Sequence, residues 1–526
     1  MRWFAGPWVV VWALWAAGCG SPQTPPPDPG RLAPADAELM QGCYDCLIDA
    51  RTEYRLLAAG ADRPRLIARV FEADLLIALR EKELGLGMSD ALAEARRIAA
   101  ELPPGVEAPR YLALVDAIPV NELAMPAREL RTFLADHAAA LGPPRDQAAW
   151  LSRGRLGPAL RSYLRLALAC AYPEAPAQGQ AGTAAAPDGT AAAAPARLGS
   201  PLLDYRAAIC GFGTLAALAA VRDREPRFVE TSLFAANIEL ALAPRDGPGR
   251  AGLHLAEALA RFPESPAIAY LTASYDLFIG DNAEALQLFD RTLAARPTHD
   301  RALLGRTICL DRLDRAKDAI ESATRLFDLG ETHHADAYFW RARSRRALGR
   351  LDDARRDITA AKAVAATGDV LSLSGIIAYE QADLDAARAD LAAALDAGPG
   401  DCTARWYLAL VHRQTKRWLD AGRAFGDAMA CYRDRARDSG AQIQALEARS
   451  DLDPAYRERA AASLQASAAA DIRQQHLAAL TAASCFASGG DAVSARPMLD
   501  LAGEDPALAD SVARLRGRLD SSRHAP

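Results

Sequence analysis

Between Thr231 and Cys431 one pattern returns about every 34 residues, and few architectures can accommodate it. Ala251, Ala285, Ala319, Ala354, Ala387 and Ala421 are spaced by 34, 34, 35, 33 and 34 residues. Four residues after each stand Leu255, Phe289, Ala323, Ile358, Leu391 and Phe425; seven after stand Ala258, Thr292, Leu326, Ala361, Ala394 and Ala428, apolar throughout except for Thr292. Twelve residues before come Glu239, Ala273, Thr307, Ala342, Gly375 and Ala409, mostly small, and Pro263, Pro297 and Pro399 each lie twelve after an anchor. Offsets of four and seven place three residues on one helix face. A small residue twelve back lets the preceding helix approach closely, and proline ends the unit.

These residues resemble the tetratricopeptide repeat (TPR), a unit of two antiparallel helices. One such hairpin cannot bury its apolar stripe alone, so neighbours stack and at least three are required. Six are visible here. The resemblance implies an all-α, TPR-type α-solenoid of stacked helix pairs over 232–435, preceded by a less regular helical part, and a binding scaffold rather than an enzyme.

The chain opens MRWFAGPWVVVWALWAAGC. The apolar run Trp3 to Ala17 is shorter than the roughly 20 residues that span a bilayer, so residues 1–18 read as a signal peptide. Ala16-Ala17-Gly18-Cys19 resembles a bacterial lipobox, with Ala16 where leucine is usual; the resemblance implies that Cys19 is lipidated. A proline-rich tether, 19–34, follows. These features imply a lipid-anchored protein of a bacterial cell envelope, facing the periplasm.

Residues 35–172 read as helices broken by Gly and Pro, with Ala91, Ala95 and Ile98 keeping the offsets of a degenerate repeat and Pro103 twelve beyond Ala91. Helices are expected over Ala127 to Leu141 and Ala148 to Tyr172. The segment 173–201 is Ala, Pro, Gly, Gln and Thr with almost no large apolar residue, and is expected to be a mobile insertion. Connecting helices fill 202–231. After the six repeats, a charged, alanine-rich helical insertion (436–475) precedes a last repeat anchored at Ala495 and a capping helix, together 476–526.

Of nine cysteines, Cys402 and Cys431 take positions 1 and 30 of a repeat numbered so that the anchor is 20. Positions summing to 31 face each other in a hairpin that turns near 15, so a disulfide is expected to staple its open end. Cys43 and Cys46 form a C-x-x-C without the histidine of haem attachment or the second pair of a zinc site. Either a disulfide at a distorted turn or two packed thiols fits them. Cys170 and Cys210 flank the insertion and are a third candidate pair, while Cys309 and Cys485 fall in helical patterns as core residues.

A net charge of −6 argues against a nucleic-acid partner. The eight histidines are scattered, and no HExxH, G-x-S-x-G or phosphate loop occurs, so no catalytic residue, cofactor or metal is expected. The TPR resemblance implies ligands on the concave side, lined by first-helix positions near 2, 5, 9, 12 and 13. Carried over, these are Tyr270, Ser274, Arg301, Arg312, Phe339, Arg343, Arg346, Trp406, Arg413 and Gln414, with Asp311, Glu380 and Gln381 beside them. Aromatics beside arginines are enriched in binding hot spots. The expected partners are other envelope proteins or peptide segments, and the membrane through the lipid. The alternative is a small molecule or glycan held in the groove on Tyr270, Phe339 and Trp406.

Overall fold

The computed structural model describes residues 29–521 apart from 60–62, 87–89, 104, 121–126, 173–197, 210–214, 243–246, 330–333, 451 and 453. Cys19, the signal segment, the insertion at 173–197 and Cys210 therefore lie outside the described residues, and so does the expected pairing of Cys170 with Cys210. Among the described residues the regular structure is helical. The N-terminal helices are α1 (Pro29–Gln41), α2 (Tyr44–Leu57), α3 (Arg63–Leu84), α4 (Asp90–Ile98), α5 (Ala108–Asp116), α6 (Ala127–Leu141), α7 (Pro144–Arg153), α8 (Pro158–Ala171), α9 (Pro201–Ala207) and α10 (Leu215–Arg224). The repeats follow as pairs: α11 (Glu230–Leu242) with α12 (Gly247–Arg261), α13 (Pro266–Ile279) with α14 (Asn282–Ala295), and α15 (Asp300–Arg312) with α16 (Ala316–Leu329). Next come α17 (His334–Ala347) with α18 (Leu351–Val364), α19 (Gly368–Glu380) with α20 (Leu384–Ala397), and α21 (Cys402–Gln414) with α22 (Trp418–Glu447). The chain ends in α23 (Pro454–Ser488), α24 (Ala492–Ala502) and α25 (Ala509–Ser521). It divides into two compact units, 1–82 with 88–119 and 134–228, and 83–87 with 120–133 and 229–526.

In the first unit Leu47, Tyr54, Phe71, Leu75, Tyr111, Leu160 and Tyr163 share one core. Ala91, Ala95 and Ile98 of α4 are buried together, so the offsets read in the sequence mark a core-facing stripe. Two expectations are corrected here. Helix begins at Pro29 rather than after residue 34. The span Ala148 to Tyr172 is two helices, parted at Gly154–Gly157. A Cβ on Gly157 would lie 2.5 Å from the Glu72 carboxylate, which instead accepts from the backbone N–H groups of Gly157 (3.2 Å) and Leu160 (3.4 Å). A buried carboxylate thus occupies the N-terminus of α8, with Pro158 in its first turn.

In the second unit every anchor from Ala251 to Ala421, and Ala495, is fully buried. The residues four and seven further on are at most 1% exposed, from Leu255 and Ala258 to Leu499 and Ala502. Close approach at the small position is visible at Gly375, where a Cβ would lie 2.6 Å from Leu391 Cγ. The turn inside each repeat is equally regular. Position 15 has a left-handed backbone in all six repeats where it is described: Gly280, Asp314, Gly349, Ala382, Lys416 and Gly490, with φ of 90°, 58°, 71°, 60°, 58° and 81°. Each time the next N–H donates back to position 11, as from Asp281 to Asp276 (2.8 Å) and from Asp491 to Phe486 (2.8 Å). This is the Schellman closure, which satisfies the last carbonyls of the first helix. Its return at Gly490 makes 476–502 a repeat like the others.

First helices of adjacent repeats also touch one another, α13 with α15, α15 with α17, α17 with α19 and α19 with α21, whereas second helices make no comparable contact. The first helices therefore crowd the inside of the curve. The expected insertion lengthens α22 to 30 residues and α23 to 35, against 13 or 14 in the helices from α13 to α21. Beyond Tyr432, α22 runs on for about 20 Å at 1.5 Å per residue, packs along α23, and brings the start of α23 back to α12 and α13.

Candidate functional site

The inner positions expected to bind are joined to one another by polar contacts that step from helix to helix. Arg312 on α15 donates to the Leu277 carbonyl of α13 (3.2 Å). Arg343 on α17 pairs with Asp311 on α15 (3.0 Å), and Ser344 donates to the other Asp311 oxygen (2.9 Å). Burial pushes the Asp311 carboxyl up, while Arg343 and Ser344 pull it down. Arg346, one turn further along α17, holds both oxygens of Glu380 on α19 (2.6 and 2.9 Å) and donates to Tyr407 Oη on α21 (3.1 Å). Tyr407 in turn meets Tyr379 edge-on at 5.6 Å. Four successive first helices are thus linked through Asp311, Arg343, Arg346, Glu380 and Tyr407.

Arg343 lies 5.2 Å from the Trp340 ring, which stands edge-on to Phe339 at 5.3 Å. This aromatic and arginine group is partly exposed and belongs to the inner face. The other aromatics expected there serve packing. Tyr270 lies against His299 (4.7 Å) and Phe289 (6.2 Å), with Arg301 beside its hydroxyl and Ser274 donating to its carbonyl (2.8 Å). Trp406 meets Phe425 edge-on at 4.9 Å and packs on the cluster of Cys402, Ala428 and Tyr432. Arg413 sits 6.0 Å above the same Phe425 ring, and Gln414 is exposed at the end of α21. The arginines are not uncommitted positive charge either: Arg343 and Arg346 each already face a carboxylate. At Arg343 and Arg346 the inner face therefore carries balanced charge.

One inner residue escaped the sequence reading. Phe278 occupies position 13, the offset that singled out Arg312 and Gln414, and its side chain is 54% exposed. Its periodic place was available as a signal; a lone phenylalanine among the apolar residues of α13 gave no other.

Cys402 and Cys431 form a disulfide across the open end of the α21–α22 hairpin, with Cα atoms 5.5 Å apart. Cys43 and Cys46 are also bonded, with Cα atoms 4.9 Å apart. The helix does not run straight through them, because Cys43 is the extended N-cap of α2 and its sulfur accepts from the Cys46 N–H at 3.0 Å. Both sulfurs and a Glu225 carboxylate oxygen lie within 4.8 Å of one another. Sulfurs bonded to each other are not the thiolates a zinc site needs. Cys309 and Cys485 are free and buried, and burial pushes the Cys309 thiol up to about 12.

The fold is an all-α, TPR-type solenoid. No protein-family model matches the chain, and no curated protein matches it. Solved structures do. A tetratricopeptide repeat protein from Parabacteroides merdae is 15% identical with a TM-score of 0.35, over 43% of this chain and 90% of that one. A thermophilic TPR protein of Thermus thermophilus is 20% identical at 0.30, over 34% and 98%. A chain of the APC/C hetero-tetramer Cut9–Hcn1 is 14% identical at 0.34, over 87% and 88%.

Proposed function

We propose that this protein is a lipid-anchored scaffold of a bacterial envelope, tethered through an acylated Cys19 and binding protein or peptide segments along the inner face of its repeats. The observation that carries the binding part is the line of paired groups from Asp311 through Arg343, Arg346 and Glu380 to Tyr407, continuous across four first helices. The Arg346–Glu380 pair is partly exposed and can exchange its partner for a backbone or side-chain group of a bound segment at little cost, because such pairs contribute only about 0–1 kcal/mol each, while the nearly buried Asp311 stays held by Arg343 and Ser344. A segment of mixed polarity, rather than an acidic one, matches a face whose charges are balanced. Of the three platforms of the small-molecule or glycan reading, Tyr270 and Trp406 are engaged in packing between helices and Phe339 remains partly exposed.

The lipid anchor rests on the sequence at Cys19 and on no structural observation. Among the described residues no helix is long and apolar enough to cross a membrane. The test has two arms. Cys19→Ser is expected to move the protein from the membrane to the soluble fraction, and retention of the variant in the membrane would end the lipoprotein reading. Crosslinking and pulldown of the tagged chain from solubilised envelope is expected to capture a protein that Arg346→Ala with Glu380→Ala releases. Equal capture by the variant would remove the inner face as the binding surface.

A further inference from the structure

The start of α23 is seated on the second repeat, and what it presents there defines a recognition chemistry. Arg459 approaches two carboxylates, Asp281 at 3.5 Å and Asp276 at 3.8 Å. Tyr456, three residues earlier and so on the same face, lies 6.1 Å from Tyr275. The Asp276 side chain is 5% exposed and Arg459 41%, so a nearly dry carboxylate is met by an arginine that arrives from the solvent side. Beside this contact the fit is loose. A cavity of about 720 Å³ separates Phe278 and Ile279 from Leu446, Leu452, Tyr456 and Leu464.

We propose that the end of α13 and the start of α14 form a docking surface for a helix presenting an aromatic residue and an arginine three positions apart, and that the α22–α23 hairpin occupies it as a tethered ligand which a partner helix of the same chemistry displaces. This deepens the scaffold reading and rests on it. The acceptor is Tyr275, Asp276, Ile279 and Asp281, with exposed Phe278 at its border. Charge complementarity selects the partner: the carboxyl groups of Asp276 and Asp281 stand together, and the planar guanidinium of arginine can address both. The tether explains how so modest a contact is held. A covalently attached segment acts at an effective concentration near millimolar, so weak contacts suffice for occupancy and an incoming helix needs only moderately better affinity. Displacement would uncover the end of α13 without disturbing the stacked repeats, because the buried anchors and the Schellman turns do not depend on the hairpin tip.

The test uses the full chain and a labelled, helix-stabilised peptide of residues 454–468 as the probe, read by fluorescence anisotropy. Tyr456→Ala with Arg459→Ala in the chain loosens the hairpin and is expected to raise peptide affinity at least tenfold over the unaltered chain. A Cβ at Gly280 would lie 3.9 Å from Ser463 Cβ, within disulfide range, so Gly280→Cys with Ser463→Cys locks the hairpin on oxidation. The locked form is expected to bind the peptide at least tenfold more weakly than its own reduced form, with the unaltered chain carried through the same redox steps as reference. A peptide carrying Tyr456→Ala and Arg459→Ala is expected not to bind. Equal binding by locked and reduced forms, no gain in the loosened chain, or binding of the altered peptide would each overturn the inference. Failure here beside a successful envelope pulldown removes this surface alone; peptide binding beside an empty pulldown removes the scaffold reading instead.

Discussion

Arg346 donates to the hydroxyl of Tyr407 two repeats further on, at 3.1 Å, while its Nε and Nη2 hold Glu380 on the helix between. One side chain therefore couples three repeats, where a stacked repeat mostly contacts its immediate neighbours. Arg346 and Glu380 are 30% and 27% exposed, so solvent screens the pair and its net worth is about 1 kcal/mol. A double-mutant cycle with Arg346→Ala and Glu380→Ala is expected to give a coupling of that size, read from amide exchange in α17, α19 and α21. Raising salt to about 1 M, where the screening length falls to roughly 3 Å, is expected to shrink it. A coupling near zero at low salt would mean the side chains do not hold each other.

The left-handed residue at position 15 gives a second expectation. Asp314, Ala382 and Lys416 adopt φ near 60° with a Cβ, where Gly280, Gly349 and Gly490 do not carry one. The left-handed region costs an L-residue about 1 kcal/mol relative to glycine. Ala382→Gly is therefore expected to stabilise the fold, by less than that full amount because glycine also loses more entropy on folding. Gly349 has nothing within 4 Å of a built Cβ, so Gly349→Ala isolates the backbone cost and is expected to lower the melting temperature. Opposite signs for the two substitutions are the outcome to look for.

How far the sequence could be read depended on repetition. The same offsets recur in six repeats, so the noise at any one position averages out, and both the buried stripe and the register of Cys402 against Cys431 could be placed from spacing. Arg346 and Glu380 could be put on the inner face, but not paired, because pairing depends on how a long side chain turns across to the next helix. Trp406 has the same spacing as a groove residue and packs on Phe425 instead; period fixes the helix face and leaves the side chain's direction open. The hairpin's course was hidden for another reason. Residues 436–475 carry alanine on every side, so no stripe showed which face would meet α13. In the first unit the break at Gly154–Gly157 answers to Glu72, 85 residues from Gly157 in sequence, beyond any local pattern.

The disulfide supplies a third expectation. Cys402 and Cys431 are separated by 29 residues, and closing a loop of that length constrains the unfolded chain by roughly 3–4 kcal/mol in the chain-entropy model. Cys402→Ala with Cys431→Ala is expected to destabilise the sixth repeat by up to that amount. Amide exchange in α21 and in the first half of α22 would report it locally, since a chain of two units need not unfold in one step. Unchanged exchange there would show that packing of Trp406 on Phe425 holds the hairpin without the bond.

Asp276 gives the pH dependence. Burial raises its carboxyl to about 7, Arg459 opposes the shift, and the neighbouring Asp281 and Glu284 add to it. The folded pKa lies above the ordinary value of 3.8, so between about pH 4 and 7 the folded chain binds more proton than the unfolded one. Stability contributed at this site is then present at acid pH and lost as pH rises through that window, with a slope of at most about 1.4 kcal/mol per pH unit for one proton. The direction is the reverse of a carboxylate held down by a strong ion pair, and it follows from Arg459 being too exposed to offset the loss of water. Asp276→Asn keeps the shape and removes the titration. It is expected to flatten the pH dependence across that window and to leave the variant at least as stable as the unaltered chain at about pH 8, measured by thermal melting across the range. If the variant keeps the same slope, or loses stability at the alkaline end, the pair with Arg459 outweighs the burial of Asp276.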